Sequence, residues 1–275
     1  MPVDVDARVV VNRRLSSDYN VLELHAPSIA ATAAPGQFVM IKTGGTGGAP
    51  LLRRPFSIFQ ILRDGAAGTP WGLSIINKKI GTGTSQIYDA SGDARLPVLG
   101  PLGTPFVPPT SGEAWMVAGG VGLGPFVTLA EALQRAGTRA TLFYGARTAA
   151  DLHCADLFEP LGARVITATE DGSAGDRGRI TGPLERALQE ARQAKTGVTI
   201  YTCGPTPMMR AVASVASRFD RACMVSLEQV MGCGMGGCYS CVVRVRQADR
   251  PRFVRSCIDG PVFDARTIVW EELTH

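Results

Sequence analysis

The chain has 275 residues, 45% of them hydrophobic, enough to bury a sizeable core in two ordinary domains or three small ones. A net charge of +4, scattered Lys and Arg, and 7% aromatic residues argue against a nucleic-acid groove, so no nucleic-acid partner is expected. The opening MPVDVDARVVVNRR carries acids where a secretion signal has a basic region, and no later apolar run reaches membrane-spanning length. A cytoplasmic protein with no membrane partner is therefore expected.

From Ala7 to about Pro108, short β-rich runs (ARVVVNRRL, NVLELHAP, GQFVMIKT, FSIFQIL, WGLSIINKKI) are separated by Gly and Pro, a rhythm that predicts an antiparallel barrel or sandwich. A short helix is expected at Ser85 to Ala90, just after Gly81-Thr82-Gly83-Thr84. Arg53-Arg54-Pro55-Phe56-Ser57 opens one of the strands. A flavin dinucleotide needs cations and N–H donors at its pyrophosphate and small donors along its ring edge. Arg54, Ser57 and the Gly83-Thr84 turn have that chemistry. Spacing alone leaves plainer alternatives open: surface charge for the Arg pair, an N-capped turn for the Gly-Thr repeat.

Around Pro108 and Pro109 the pattern changes to apolar strands alternating with amphipathic helices. AWMVAGG leads into PFVTLAEALQRAG, ATLFYG into AADLHCADLFEPLG, ARVITATE into GPLERALQEARQ, and VTIYTCGP into PMMRAVASVASRF. That alternation predicts a parallel sheet with helices on both faces. In the first strand-to-helix turn, Gly120, Gly122 and Gly124 permit a nucleotide to approach the backbone, and the helix start attracts phosphate. The turn departs from G-x-G-x-x-G, and ATLFYG has no acid at its end to read a ribose hydroxyl, so a turn shaped only by packing stays open. Cys203-Gly204-Pro205 ends another strand, where such a sheet has its ligand crevice; Cys203 meets either a nicotinamide or ordinary packing. Arg147 is either a phosphate contact or a solvated loop charge, and NAD versus NADP is undecided.

After about Cys223 a segment rich in Cys and Gly follows, giving expected domains at 1–108, 109–223 and 224–275. Cys154 and Cys223 read as small core residues. Cys233, Cys238, Cys241 and Cys257 follow C-x4-C-x2-C with a fourth Cys after fifteen residues, the plant-type ferredoxin arrangement in its first three ligands. Gly232, Gly234, Gly236 and Gly237 let the backbone wrap close to inorganic sulfides. A structural zinc site is the alternative, though its usual second C-x2-C knuckle is missing. No Ser, Cys or His arrangement suits nucleophilic catalysis; His25, His153 and His275 read as surface or loop residues.

In chain order, R-P-F-S, G-G-V-G-L-G-P and C-G-P resemble the ferredoxin-NADP reductase superfamily. SLEQVMGCGMGGCYSCVV with CIDGPVFDARTIVW resembles the electron-transfer subunits of NAD-dependent (type B) dihydroorotate dehydrogenases. The resemblance implies three parts: an antiparallel β-barrel flavin domain, a parallel-sheet α/β nucleotide domain and a small C-terminal 2Fe-2S domain. It places FAD against Arg54, Pro55, Phe56, Ser57, Ile76, Asn77, Lys78, Gly83 and Thr84, with Ile76 to Lys78 matching by position rather than residue type. It puts NAD, as co-substrate, at Gly120, Gly122, Gly124, Cys203, Gly204 and Pro205, and the 2Fe-2S cluster on Cys233, Cys238, Cys241 and Cys257. The implied partner is an FMN-containing dihydroorotate dehydrogenase catalytic subunit, in a heterotetramer of two copies of each chain serving de novo pyrimidine biosynthesis. This chain would carry electrons and hold no catalytic residue for dihydroorotate itself. Met231, Met235 and Tyr239 become either docking contacts or packing around the cluster. Three readings stay open beside it: the same cofactors serving a bifurcating transhydrogenase, sulfide dehydrogenase or hydrogenase; an oxygenase reductase; and a zinc-stabilised nucleotide-binding module.

Overall fold

The computed structural model describes residues 1–44, 48–65, 68–247 and 250–273; His275 lies outside them. In the first hundred residues, β1 (Val3–Arg14), β2 (Tyr19–His25), β3 (Phe38–Ile41), β4 (Arg54–Ser57), β5 (Gln60–Asp64), β6 (Thr69–Lys78) and β7 (Arg95–Leu102) form one antiparallel sheet. Period-2 alternation decides which way each residue faces: in β1, Ala7 and Val9 are buried while Asp4 and Asp6 are exposed. The sheet order is β4-β3-β7-β1-β2-β6-β5, so its two edges are β4 and β5. Only Ile58 and Phe59 separate those edges along the chain, so one bent segment joins both ends and rolls the sheet into the expected barrel. Leu22, Leu24, Val39, Ile41, Ile58, Leu73 and Ile75 fill its interior.

Two short helices attach to the barrel. The first, α1 (Pro27–Ala30), is not evident from the sequence; Pro27 starts it, and Ile29 and Ala30 are buried. The second, α2 (Thr82–Tyr88), begins three residues before the expected Ser85. Gly83 and Thr84 belong to its first turn because Thr84 Oγ1 accepts from the N–H groups of Ile80 and Gly81 and so satisfies donors there.

The second sheet uses β8 (Glu113–Gly119), β9 (Ala140–Ala146), β10 (Ala163–Thr169), β11 (Asp176–Arg177), β12 (Val198–Cys203), β13 (Ala222–Ser226) and, from the C-terminal segment, β16 (Val262–Asp264), reached after the hairpin β14 (Val242–Gln247) and β15 (Arg250–Arg255). Its order is β11-β10-β9-β8-β12-β13-β16, parallel except for β16. Along β8, Ala114, Met116 and Ala118 face a core built on α3 (Phe126–Arg135), whereas Trp115 and Val117 face α4 (Thr181–Gln193) and α5 (Thr206–Arg218). Both faces are covered, as the alternation predicts. One expected helix is absent: AADLHCADLFEPLG forms three short 3-10 turns instead. Cys154 adopts φ 58°, which an α-helix cannot continue through, and Pro160 removes a donor in the next turn. Phe158 nevertheless keeps the α3 face sealed.

The C-terminal segment is wedged between the two sheets. Val243, Val245 and Val254 of the hairpin pack into the core under α5. Met231, Cys241 and Cys257 pack against Phe38, Met40, Leu99 and Leu102 of the barrel. β13 runs across residue 223, so the sheet continues past the point where the sequence rhythm changes.

Candidate functional site

Two clefts lie between the sheets, and a thiol loop borders one of them. The first cleft, of about 480 Å³, has Arg54, Pro55, Phe56 and Ser57 of β4 along one wall and Ile76, Asn77 and Lys78 of β6 along another. Thr84 of α2 closes one end, and the segment Ser226 to Met231 forms the far side. Gly83 stands behind Arg54: a Cβ there would lie 3.2 Å from Arg54 Cγ, so a larger residue would press on that side chain. The two arginines have different roles. Arg53 forms a surface ion pair with Asp4 at 2.7 Å, while Arg54 makes no salt bridge among the described residues and lines the cleft. The remaining wall is apolar, from Phe38, Phe56, Leu227, Val230 and Met231. Beneath it, Asn77 Oδ1 is buried without a hydrogen-bond partner. A flat apolar slot with a cation, a hydroxyl and an unsatisfied acceptor fits a flavin dinucleotide.

The second cleft, of about 430 Å³, opens at the C-terminal ends of the parallel strands, where ligands of such sheets bind. Gly120, at φ 55°, and Pro205 line it, as do Arg147, Asp151, Glu170 and Arg179. Gly124 instead lines the first cleft, where a Cβ would stand 3.1 Å from Ser57 Cβ. Gly122 lines neither: a Cβ there would lie 2.3 Å from the carbonyl oxygen of Cys203, so its glycine is needed to interlock two loops. Gly204, at φ 145°, completes that contact against Gly119. Lys78 lines both clefts, with Nζ 4.9 Å from the centre of the Tyr19 ring.

Cys203 reaches neither cleft directly. Its buried thiol points at Glu228, with Sγ 3.9 Å from Oε1, and Glu228 lines the first cleft. Burial, reinforced by the nearby carboxylate, pushes the Cys203 thiol well above its usual range. Glu228 is reached by water in the open cleft yet ringed by protein, and that environment raises its carboxyl pKa. Tyr19, Glu170, Arg179 and Glu228 escape a reading of the sequence because no local motif marks them; topology alone gathers them at the clefts. Of the histidines, His25 is exposed beside Trp71 and His153 packs on Tyr19 in a loop, its Nε2 buried and unpartnered. Cys223 is core; Cys154 is half-buried at the edge of the α3 core.

The four clustered cysteines lie close enough to act on one another: Cys233 acts on Cys238, and both Cys241 and Cys233 act on Cys257. Among the described residues, no three Cys, His, Asp or Glu side chains converge as the ligands of a single ion would. Four thiols at this spacing suit a 2Fe-2S cluster, and the second C-x2-C knuckle usual for structural zinc is missing. The Ser240 hydroxyl, 3.2 Å from Cys238 Sγ, and its backbone N–H draw that thiol down to about 6, while burial and then the Cys241 thiol push Cys257 up to about 12. Met235 donates its N–H to Cys233 Sγ at 3.4 Å, and a Cβ on Gly232 would come within 3.1 Å of Cys238 Sγ. Met231 is buried against this loop and the first cleft, whereas Met235 and Tyr239 are 61% and 64% exposed.

No helix among the described residues is long and apolar enough to cross a membrane. Residues 228–269 match the iron-sulfur cluster binding domain of dihydroorotate dehydrogenase B, and residues 116–214 match the oxidoreductase NAD-binding domain. The electron transfer subunit of dihydroorotate dehydrogenase B (NAD(+)) from Desulforamulus reducens is 35% identical over 97% of this chain and 98% of its own length. Its counterpart from Bacillus caldolyticus is 36% identical over 94% of this chain and 96% of its own. Among solved structures, an NADH-dependent reduced ferredoxin-NADP oxidoreductase described for flavin-based electron bifurcation superposes with a TM-score of 0.82 at 29% identity. It covers 98% of this chain and 91% of the other. A ferredoxin reductase of carbazole 1,9a-dioxygenase aligns over 79% of the chain, with a TM-score of 0.65 and 25% identity. With its four-cysteine segment, its strand-end cleft and near-full-length kinship all in agreement, the chain belongs to the family of electron transfer subunits of dihydroorotate dehydrogenase B.

Proposed function

We propose that this chain carries electrons between NAD and a partner dihydroorotate dehydrogenase subunit, through FAD in the first cleft and a 2Fe-2S cluster on Cys233, Cys238, Cys241 and Cys257. The observation that carries the reading is continuity. Lys78 is shared by the nucleotide and flavin clefts, and the segment Ser226 to Met231 walls the flavin cleft and then runs directly into the thiol loop. Nicotinamide exchanges electrons in pairs, a 2Fe-2S cluster carries one at a time, and a flavin handles both, so that cofactor belongs between the others.

The chain's residues have distinct tasks. Arg54 and the Gly83-Thr84 turn would hold phosphate, Phe38 and Phe56 would exclude water from the ring, and Glu228 would face the ligand from the far side of the cleft. In the nucleotide cleft Glu170 supplies the acid that β9 lacks: its N–H donates to Ala146 O at 3.1 Å, which sets the end of β10 beside the end of β9. Arg147 and Arg179 form no salt bridge among the described residues and suit the pyrophosphate. Oxidation of dihydroorotate in the partner releases two electrons and two protons; NAD takes both electrons and one proton, and the other goes to solvent.

The partner is taken to be FMN-containing and to assemble as two copies of each chain, in the cytoplasm and in de novo pyrimidine synthesis; the family membership supports this reading. Exposed Met235, Tyr239 and Ile258 beside the thiols suit its docking face. A division at 1–108, 109–223 and 224–275 is part of the same proposal and rests on the change of sequence rhythm; β13 crosses its second boundary and β16 joins the C-terminal part to the second sheet. Anaerobic addition of NADH to the purified chain is the test. Bleaching of both flavin and cluster bands is the expected result, and a colourless chain carrying stoichiometric zinc would overturn the reading.

A further inference from the structure

The chain contains three asparagines, Asn12, Asn20 and Asn77, and all three join one side-chain ladder across β1, β2 and β6. Asn20 stands opposite Asn77 in the strand register, and both are fully buried. Asn77 Nδ2 donates to Asn20 Oδ1 at 2.8 Å and to the Thr84 carbonyl at 3.0 Å. Asn20 Nδ2 donates to Asn12 Oδ1 at 2.7 Å. At the outer end, Asn12 Nδ2 faces the carbonyls of Tyr88 at 3.0 Å and Ala90 at 2.8 Å, at the close of α2.

The outer anchor sets the polarity of the whole ladder. Carbonyl oxygens accept only, so Asn12 must present its NH2 to α2 and its oxygen to Asn20. Asn20 must then donate outward and accept from Asn77. Asn77 in turn spends its NH2 on Asn20 and Thr84, leaving Oδ1 for the flavin cleft wall. That atom is the one left buried without a partner. A reversed Asn77 would set oxygen against two acceptors, so α2 and the ladder together dictate an acceptor at this point.

We infer that Asn12, Asn20 and Asn77 form a directed positioning relay that presents Asn77 Oδ1 as acceptor to an N–H or O–H donor of the flavin dinucleotide. The relay ties the flavin cleft to both ends of α2, and Asn20 and Asn12 act on the ligand only through Asn77. It rests on the flavin reading of the first cleft.

Having three asparagines makes the test direct. The full chain, with its cluster and with only asparagine labelled with 13C and 15N, is stripped of FAD and then reloaded. FAD binding is followed independently by quenching of its fluorescence. The expected result is a change at the Asn77 side-chain carbonyl on loading, with smaller changes at Asn20 and then Asn12. In N20L, whose altered residue lies outside the cleft, FAD affinity should fall roughly tenfold and the carbonyl response of Asn77 should shrink. Bound FAD with the Asn77 signal unmoved, or N20L folded with unaltered FAD affinity, would overturn the relay. No FAD binding to the unaltered chain would instead overturn the flavin reading itself. Should N20L fail to fold, the labelled native chain still decides.

Discussion

Cys257 closes the thiol set across fifteen intervening residues, and like Cys241 it is buried. In the proposed cluster, replacing it would leave one iron short of a ligand, and it lines neither of the two clefts. Cys257→Ala is expected to lose the cluster's visible and paramagnetic signals and keep stoichiometric FAD; an intact cluster spectrum would mean that another group is the fourth ligand. If Glu170 reads the nucleotide ribose, as proposed, its carboxylate would disfavour a 2′-phosphate. Glu170→Gln is expected to raise kcat/KM for NADPH relative to NADH on the order of tenfold, the size of one ~1.4 kcal/mol interaction. An unchanged ratio would remove Glu170 from the ribose site. The cysteine spacing is legible in the sequence because Cys233, Cys238 and Cys241 sit on one loop, where spacing alone sets which thiols can meet. Glu170 and Glu228 were not, since an acid at a strand end gains meaning only when neighbouring strands are known. The R-R pair shows the same limit: nothing local distinguishes Arg53, which pairs with Asp4, from Arg54, which faces the cleft.

Strand and helix periodicity carried most of the secondary structure. β8 alternates between two cores and α4 and α5 each present one buried face, so their patterns are strong. The failure at AADLHCADLFEPLG has a specific cause, a left-handed Cys154 that composition does not reveal. The glycine-rich turn is the instructive intermediate case. It reads as a nucleotide loop, yet Gly120, Gly124 and Gly122 serve three ends: the nucleotide cleft, the flavin cleft and loop packing. Gly122 has no positive φ to protect, so its replacement tests contact alone. Gly122→Ala would press a methyl into the Cys203 carbonyl and is expected to cost about 3 kcal/mol. The melting temperature should then fall by roughly 6–12 °C. A drop of less than about 1 °C would show that the two loops are not interlocked.

On the scale of the whole molecule, no single sheet makes the function. The barrel provides a slot, the parallel sheet a strand-end cleft, and the C-terminal segment a thiol loop that packs on both through Met231 and the β14–β15 hairpin. Barrel and parallel sheet were legible from periodicity, and the thiol loop from spacing. Their alignment into one conduit was not, because it depends on Lys78 and the Ser226 to Met231 segment meeting partners far away in sequence. Met235, Tyr239 and Ile258 are exposed beside the thiol loop, which is the docking face the proposal assigns to the partner. The decisive measurement mixes the purified chain with an FMN-containing dihydroorotate dehydrogenase subunit from the same source and follows NADH formation from dihydroorotate and NAD. The account predicts turnover in the mixture and none with either chain alone. Absence of turnover in the mixture, with FAD and cluster present and NADH still bleaching the flavin, would contradict the assigned partner.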